Sequence, residues 1–160
     1  MKWFSVQLSI AITLLVIATA GTWYEGSAIR DRSFEWAYST PVSHMIHGEI
    51  LNVRQISQLD HFVYAAKFHP FLPFMMIISA LYIALLITYR IVQHDLKKWM
   101  MGLGLSAAVF IIAGSTLAGS PTAGGNLFFY FFIGSGVISL TGAILCLAVL
   151  NRSYTKEIIS

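Results

Sequence analysis

The residues best equipped for chemistry lie between Glu25 and His69. His44-Met-Ile-His47-Gly-Glu49 places two imidazoles and a carboxylate within six positions. Histidines three apart share a face if the segment is helical, and neutral imidazole binds zinc well. Gly48 would interrupt that helix, however, and no HExxH or CxxC frame accompanies the pair. His61 and His69 could complete a ligand set only by folding back. His44, His47 and Glu49 are therefore the metal candidates on offer, and no cofactor is expected. The same histidines could sense pH. Four basic and five acidic side chains leave the segment one net negative charge, and protonating His44, His47, His61 and His69 would carry it to +3. Unperturbed imidazole titrates near about 6.5; against this stands the plainer reading that exposed histidines titrate without consequence. Glu25, Glu49 and Asp60 could supply a general acid and base, but nothing in their spacing fixes a separation. There is no nucleophile elbow, P-loop or dinucleotide fingerprint.

The second half of this segment, Gln58 to Pro70, is the better defined. Ser57 followed by Asp60 resembles a capping box, so Asp60 reads as part of a helix start. Leu59, Phe62, Val63 and Ala66 then share one face, while Asp60, His61, Tyr64 and Lys67 lie off it. The pattern predicts a short amphipathic helix on a membrane surface, with His61, Tyr64 and Lys67 turned outward to meet lipid or a partner. His69-Pro70 predicts a bend, because the residue before proline avoids helical geometry. Upstream, Phe34, Trp36 and Tyr38 imply a packed layer or burial at a lipid surface rather than a disordered linker, and Trp36 and Tyr38 join the candidate contacts. Alternation in HGEILNVRQI suggests a possible pair of short strands.

These groups must be positioned by a chain that is 57% hydrophobic and 11% charged over 160 residues, with a mean hydropathy of +0.72. Soluble domains carry about 25% charged residues. The composition therefore predicts an all-α integral membrane protein. Four runs are long and apolar enough to span, about 3–23, 71–92, 99–118 and 127–150. They form one membrane domain, with a structured loop, 24–70, between the first two. Lys2, Arg90, Lys97, Lys98, Arg152 and Lys156 flank one set of span ends, and the GSPTAGGN turn between the last two runs has no basic residue. The distribution predicts cytoplasmic termini and an extracytoplasmic loop. Ala18-Thr19-Ala20 raises the rival of a cleaved signal peptide; the absence of a helix breaker before Ala18 favours a retained first helix. Scattered basic residues offer no nucleic-acid surface.

The span centres carry Ser, Thr, Gly and one Cys instead of ionisable groups, which argues against an ion pump or a haem carrier. Small residues recur at spacing four, as in Gly102/Ser106, Gly104/Ala108, Gly114/Ala118, Ser135/Ser139 and Ser139/Ala143, with Gly134, Gly136 and Gly142 nearby. Such spacing lets helix backbones approach closely, and the third and fourth spans are expected to meet through it.

Thr22–Ser27 (TWYEGS), Trp36–His44 (WAYSTPVSH) and Ile56–Pro70 (ISQLDHFVYAAKFHP) resemble the YjdJ-like membrane proteins of Bacillus, a family of unknown function. The resemblance covers roughly residues 10–90. It implies a bacterial plasma-membrane protein and marks the loop as the distinguishing part, without implying an activity. The sequence thus supports a non-enzymatic accessory or interaction protein of the cell envelope, with the lipid bilayer and a membrane protein as partners. A membrane enzyme or metal-binding protein using the loop is the alternative. A small-molecule transporter or channel comes third.

Overall fold

The structure is a computed structural model that describes residues 2–92 and 95–159, with side chains described for residues 3–92 and 95–152. The side chains of Lys2 and Lys156, two of the charges used to orient the chain, lie outside the described residues. Among the described residues, seven α-helices occur in order: α1 (Lys2–Gly26), α2 (Trp36–Ser39), α3 (Pro41–His47), α4 (Gln58–Phe68), α5 (Phe71–Val92), α6 (Leu96–Ser115) and α7 (Ala123–Ile159). Single 3-10 turns occupy Ser27–Asp31, Ser33–Glu35 and Val53–Gln55. Four helical stretches are long and apolar enough to cross a membrane: Trp3–Asp31, Phe71–Val92, Leu96–Ser115 and Ala123–Arg152.

Local chemistry explains the boundaries. Asp95 caps α6 by accepting from the N–H groups of Lys97 and Lys98 at 3.1 and 3.2 Å, so this helix begins before Trp99. The chain leaves α6 through a turn in which Gly119 takes a φ of 76°, a left-handed conformation suited to glycine. Ala123 already belongs to α7. Ser57 caps α4, its hydroxyl accepting from the N–H of Leu59 at 3.3 Å. His69-Pro70 separates α4 from α5, and Pro73 falls in the first turn of α5, where a missing N–H costs nothing.

The expected strand pair in HGEILNVRQI is absent: no strand occurs among the described residues. Gly48, with φ 72°, ends α3. Asn52 and Gln55 then form a reciprocal capping box around a 3-10 turn. The Gln55 side chain accepts from the N–H groups of both Leu51 and Asn52. Backbone donors that a strand would offer to a neighbour are satisfied locally.

The chain divides into two compact units, Met1–Leu86 with Thr122–Gly125, and Ile87–Pro121 with Asn126–Ser160. In the first, Ala11, Ala18, Thr22 and Gly26 form a buried stripe on α1. The segment between α1 and α5 makes a small cap over the end of this stripe. Its apolar centre is Ile29, Ile50, Ile56 and Tyr64, with Ala28, Trp36 and Val53 packed around it. In the second unit α6 and α7 meet through small residues. Gly114 faces Ile133, Gly136 faces Ile111, and Phe110 stacks on Phe132 with ring centroids 6.2 Å apart.

Candidate functional site

The polar residues singled out in the loop converge, but inside the cap. Asp60 is fully buried. One carboxylate oxygen accepts from the Val42 N–H at 2.9 Å, and the other from the Ser43 N–H at 2.9 Å and from the Ser43 hydroxyl. The Ser43 hydroxyl in turn accepts from the Ser57 N–H at 2.7 Å. Helix α3 explains the need. Its first residue is Pro41, which has no donor, and Thr40 makes no side-chain cap. The next two N–H groups are therefore orphans that require an acceptor. Asp60 supplies it from another helix. The expected capping role is thus displaced: Ser57 caps α4, and Asp60 caps α3.

Lys67 answers at the other end of α2. Its ammonium donates to the carbonyl of Tyr38 and, at 3.4 Å, to the Ser39 hydroxyl, where helix carbonyls lack partners. Burial lowers the Lys67 pKa from its ordinary value, and the charge of Glu35 opposes that shift. His44 ties α2 to the end of α3. Its Nδ1 lies 2.6 Å from the carbonyl oxygen of Gly48 and its Nε2 3.2 Å from that of Trp36.

His61 and Tyr64 are buried, with 1% and 2% of their surface exposed. The His61 ring lies against Trp23, centroids 5.8 Å apart and planes at 44°. Trp23 donates its indole N–H to the Gln58 side chain at 2.8 Å. Tyr64 packs on Phe68 with centroids 4.8 Å apart. Burial, then the positive charge of Arg30, lowers the His61 pKa from its ordinary value, and Asp60 opposes them. Among the described residues, the buried atoms His61 Nδ1, Thr22 Oγ1 and Glu25 Oε2 have no hydrogen-bond partner.

Helix α4 is held between two glycines. A Cβ at Gly26 would collide with the carbonyl of His61, and one at Gly124 with the carbonyl of Ala66. Both obstacles are backbone. Close approach of α1 on one side and of the Thr122–Gly125 turn on the other therefore requires glycine.

The outward placement of His61 and Tyr64 is corrected by this geometry. The polar side of α4 faces the cap interior, where Asp60 and Lys67 find partners, while Leu59 is exposed and Phe62 and Val63 are half-buried. Trp36 is half-buried and donates its indole N–H to the Ile29 carbonyl at 2.9 Å. Tyr38 is exposed and Lys67 half-buried. The metal candidates do not converge. His44 has both ring nitrogens against carbonyl oxygens, while His47 and Glu49 are exposed. No group of three or more His, Cys, Asp or Glu suited to a metal ion occurs among the described residues.

Sequence reasoning missed the exposed apolar residues Met45, Ile46 and Leu51 of the cap. Their hydropathy would have placed them inside. Among the small residues of α6 and α7, Gly142 meets Leu103 at 3.2 Å from a Cβ position, whereas Gly102 and Gly134 face open space. Ser106 returns its hydroxyl to the Leu103 carbonyl, and Ser135 and Ser139 are half-buried. The expectation that Gly102 and Gly134 pack is therefore corrected. Gly114, Gly136, Ala107 and Ala143 carry the tight contacts or the burial instead.

Residues 5–92 match a family described as a domain of unknown function, DUF4306. The chain is also 39% identical over 80 residues to an uncharacterised protein of Bacillus subtilis (strain 168), YjdJ, covering 49% of this chain and 73% of that one. No solved structure matches. The family match takes in α1 to α5, with the whole cap, and stops before α6.

Proposed function

The chain belongs to the DUF4306 family of unknown function, and on that premise we propose that it is an integral membrane protein of the bacterial envelope whose rigid outer cap docks a membrane protein partner. Four long apolar helices support the membrane reading. Along the sequence, Arg90, Lys97 and Lys98 flank the connection between the second and third apolar stretches and Arg152 ends the fourth, whereas the 119–126 turn has no basic residue; this distribution supports cytoplasmic termini and an extracytoplasmic cap. The packing of Gly124 on Ala66 also fits, since four crossings put that turn on the cap's side.

The observation that carries the docking role is the polarity of the cap. Asp60, Ser43 and Lys67 turn inward to partners within the cap, while large apolar side chains stand outside. Met45 is 87% exposed, Leu51 78% and Tyr38 77%. Large apolar side chains left outside a rigid framework suit contact with another surface.

Photo-crosslinking tests this in native membranes. A benzophenone amino acid placed at Met45 or Leu51 is expected to capture one discrete protein. The same probe at Val109, on α6, serves as the comparison. Capture of lipid alone at the cap positions would overturn the docking role and make the cap a lipid-immersed anchor.

A further inference from the structure

Where α4 meets α1, the seam contains an ionisable group poorly suited to carrying charge. His61 is 1% exposed, and Nδ1 has no hydrogen-bond partner. Its backbone carbonyl is pressed against Gly26 and its ring against Trp23. Thr22 Oγ1 and Glu25 Oε2, on the last turns of α1, are also buried without partners. Unmet polar groups weaken a closed interface, because opening lets water satisfy them.

We propose that this seam is a proton-operated latch, in which protonation of His61 releases α4, and with it the cap, from α1. A neutral imidazole can remain in the seam with one nitrogen unpartnered. An imidazolium would add a donor with no acceptor and a charge with little solvation. The surroundings do not repair this. From the turn after α1, the exposed Arg30 adds a like charge. On α4 itself, Asp60 is attractive, but both its oxygens are already engaged by Val42 and Ser43. From α1, Glu25 keeps a buried oxygen that makes no hydrogen bond to the ring, and Nδ1 meets no acceptor in the closed seam. Helix α2 brings no charged side chain of its own, and Glu35 before it acts on Lys67. Helix α3 brings His44, which is occupied by two carbonyls, and His47, which is exposed. The Thr122–Gly125 turn has no ionisable residue.

The sign follows. Above about pH 6.5 both closed and open states hold a neutral His61. Below it the open state takes a proton that the closed state resists, so closure weakens as pH falls. The limit is about tenfold per pH unit for one proton, until the closed state also titrates.

Hydrogen exchange of the α4 amides, in the full chain in lipid nanodiscs and corrected for intrinsic rate, measures the opening equilibrium. Between pH 8 and 5 the corrected opening of Gln58–Phe68 is expected to rise as pH falls below about 6.5. His61→Gln should abolish that rise, and His44→Gln should leave it. Arg30→Gln should shrink it, because the closed state then accepts the proton more readily. A pH-independent α4 in the full chain overturns the latch. So does a rise that survives His61→Gln. If His61→Gln does not fold, Arg30→Gln decides: an unchanged pH dependence there refutes the proposal.

Discussion

The cap and the α6–α7 pair are built by opposite means. In the cap, directional bonds to buried polar groups connect short helices that could not persist alone. Asp60 holds the start of α3, Lys67 the end of α2, and His44 bridges the two. Each of these helices is at most seven residues long, well below what survives in isolation. In the α6–α7 pair the helices satisfy their own backbones and meet through glycines against Ile133, Ile111 and Leu103. The contrast teaches where specificity resides. Apolar packing of long helices tolerates adjustment of side chains. A buried polar network fixes one arrangement, since a lost partner leaves the other group without solvent.

Removing the centre of that network should have the largest effect. Asp60→Ala leaves three donors of Val42 and Ser43 unmet, and about 3–5 kcal/mol of cap stability should go with them. Thermal unfolding in detergent, combined with hydrogen exchange, would show the loss confined to α2–α4. A uniform loss that includes α6 would break the comparison.

Gly26→Ala should come next, at about 3 kcal/mol, because the added methyl meets the His61 backbone, which cannot rotate away. Its counterpart Gly136→Ala meets chiefly the Cγ1 of Ile111, at 2.7 Å. The cost there should be smaller, about 1 kcal/mol, as the side chain yields. The ratio of the two, read from melting temperatures, sharpens the distinction between backbone and side-chain obstruction; equal costs would remove it.

Lys67→Met keeps the apolar stem and deletes the donor to Tyr38 and Ser39, so a loss of about 1 kcal/mol is expected. The smallest change should be Gly134→Ala. Its Cβ meets nothing, and helix propensity alone predicts a gain of up to about 1 kcal/mol. A clear destabilisation would reveal that this face is covered by another helix in the assembly where it was measured.

Much of the local structure was legible. Ser57 announced the start of α4, His69-Pro70 its end, and the apolar runs marked the four long helices. The sense of α4 was not legible. The period of Leu59, Phe62, Val63 and Ala66 shows that these residues share a face, but period is silent about which face is buried. That depends on what the surroundings supply. Here α3 supplied unpaired donors to Asp60, and α2 supplied a bare carbonyl end to Lys67. The small-residue pattern had the same limit. A run of small residues marks where helices could approach without saying which face α6 and α7 would share, so Gly136 packs and Gly134 does not.

The sequence by itself determined that the chain is helical and has four stretches able to cross a bilayer, because hydropathy and helix capping act through near neighbours. It also carried the family motifs, all within α1 to the start of α5. Only the tertiary structure decided that Asp60, His61 and Tyr64 are interior groups, that Lys67 reaches back to the end of α2, and that Met45 and Leu51 lie outside. Those roles rest on partners brought from other helices, Asp60 to Ser43 and His61 to Trp23 among them. No local pattern records where such partners will stand.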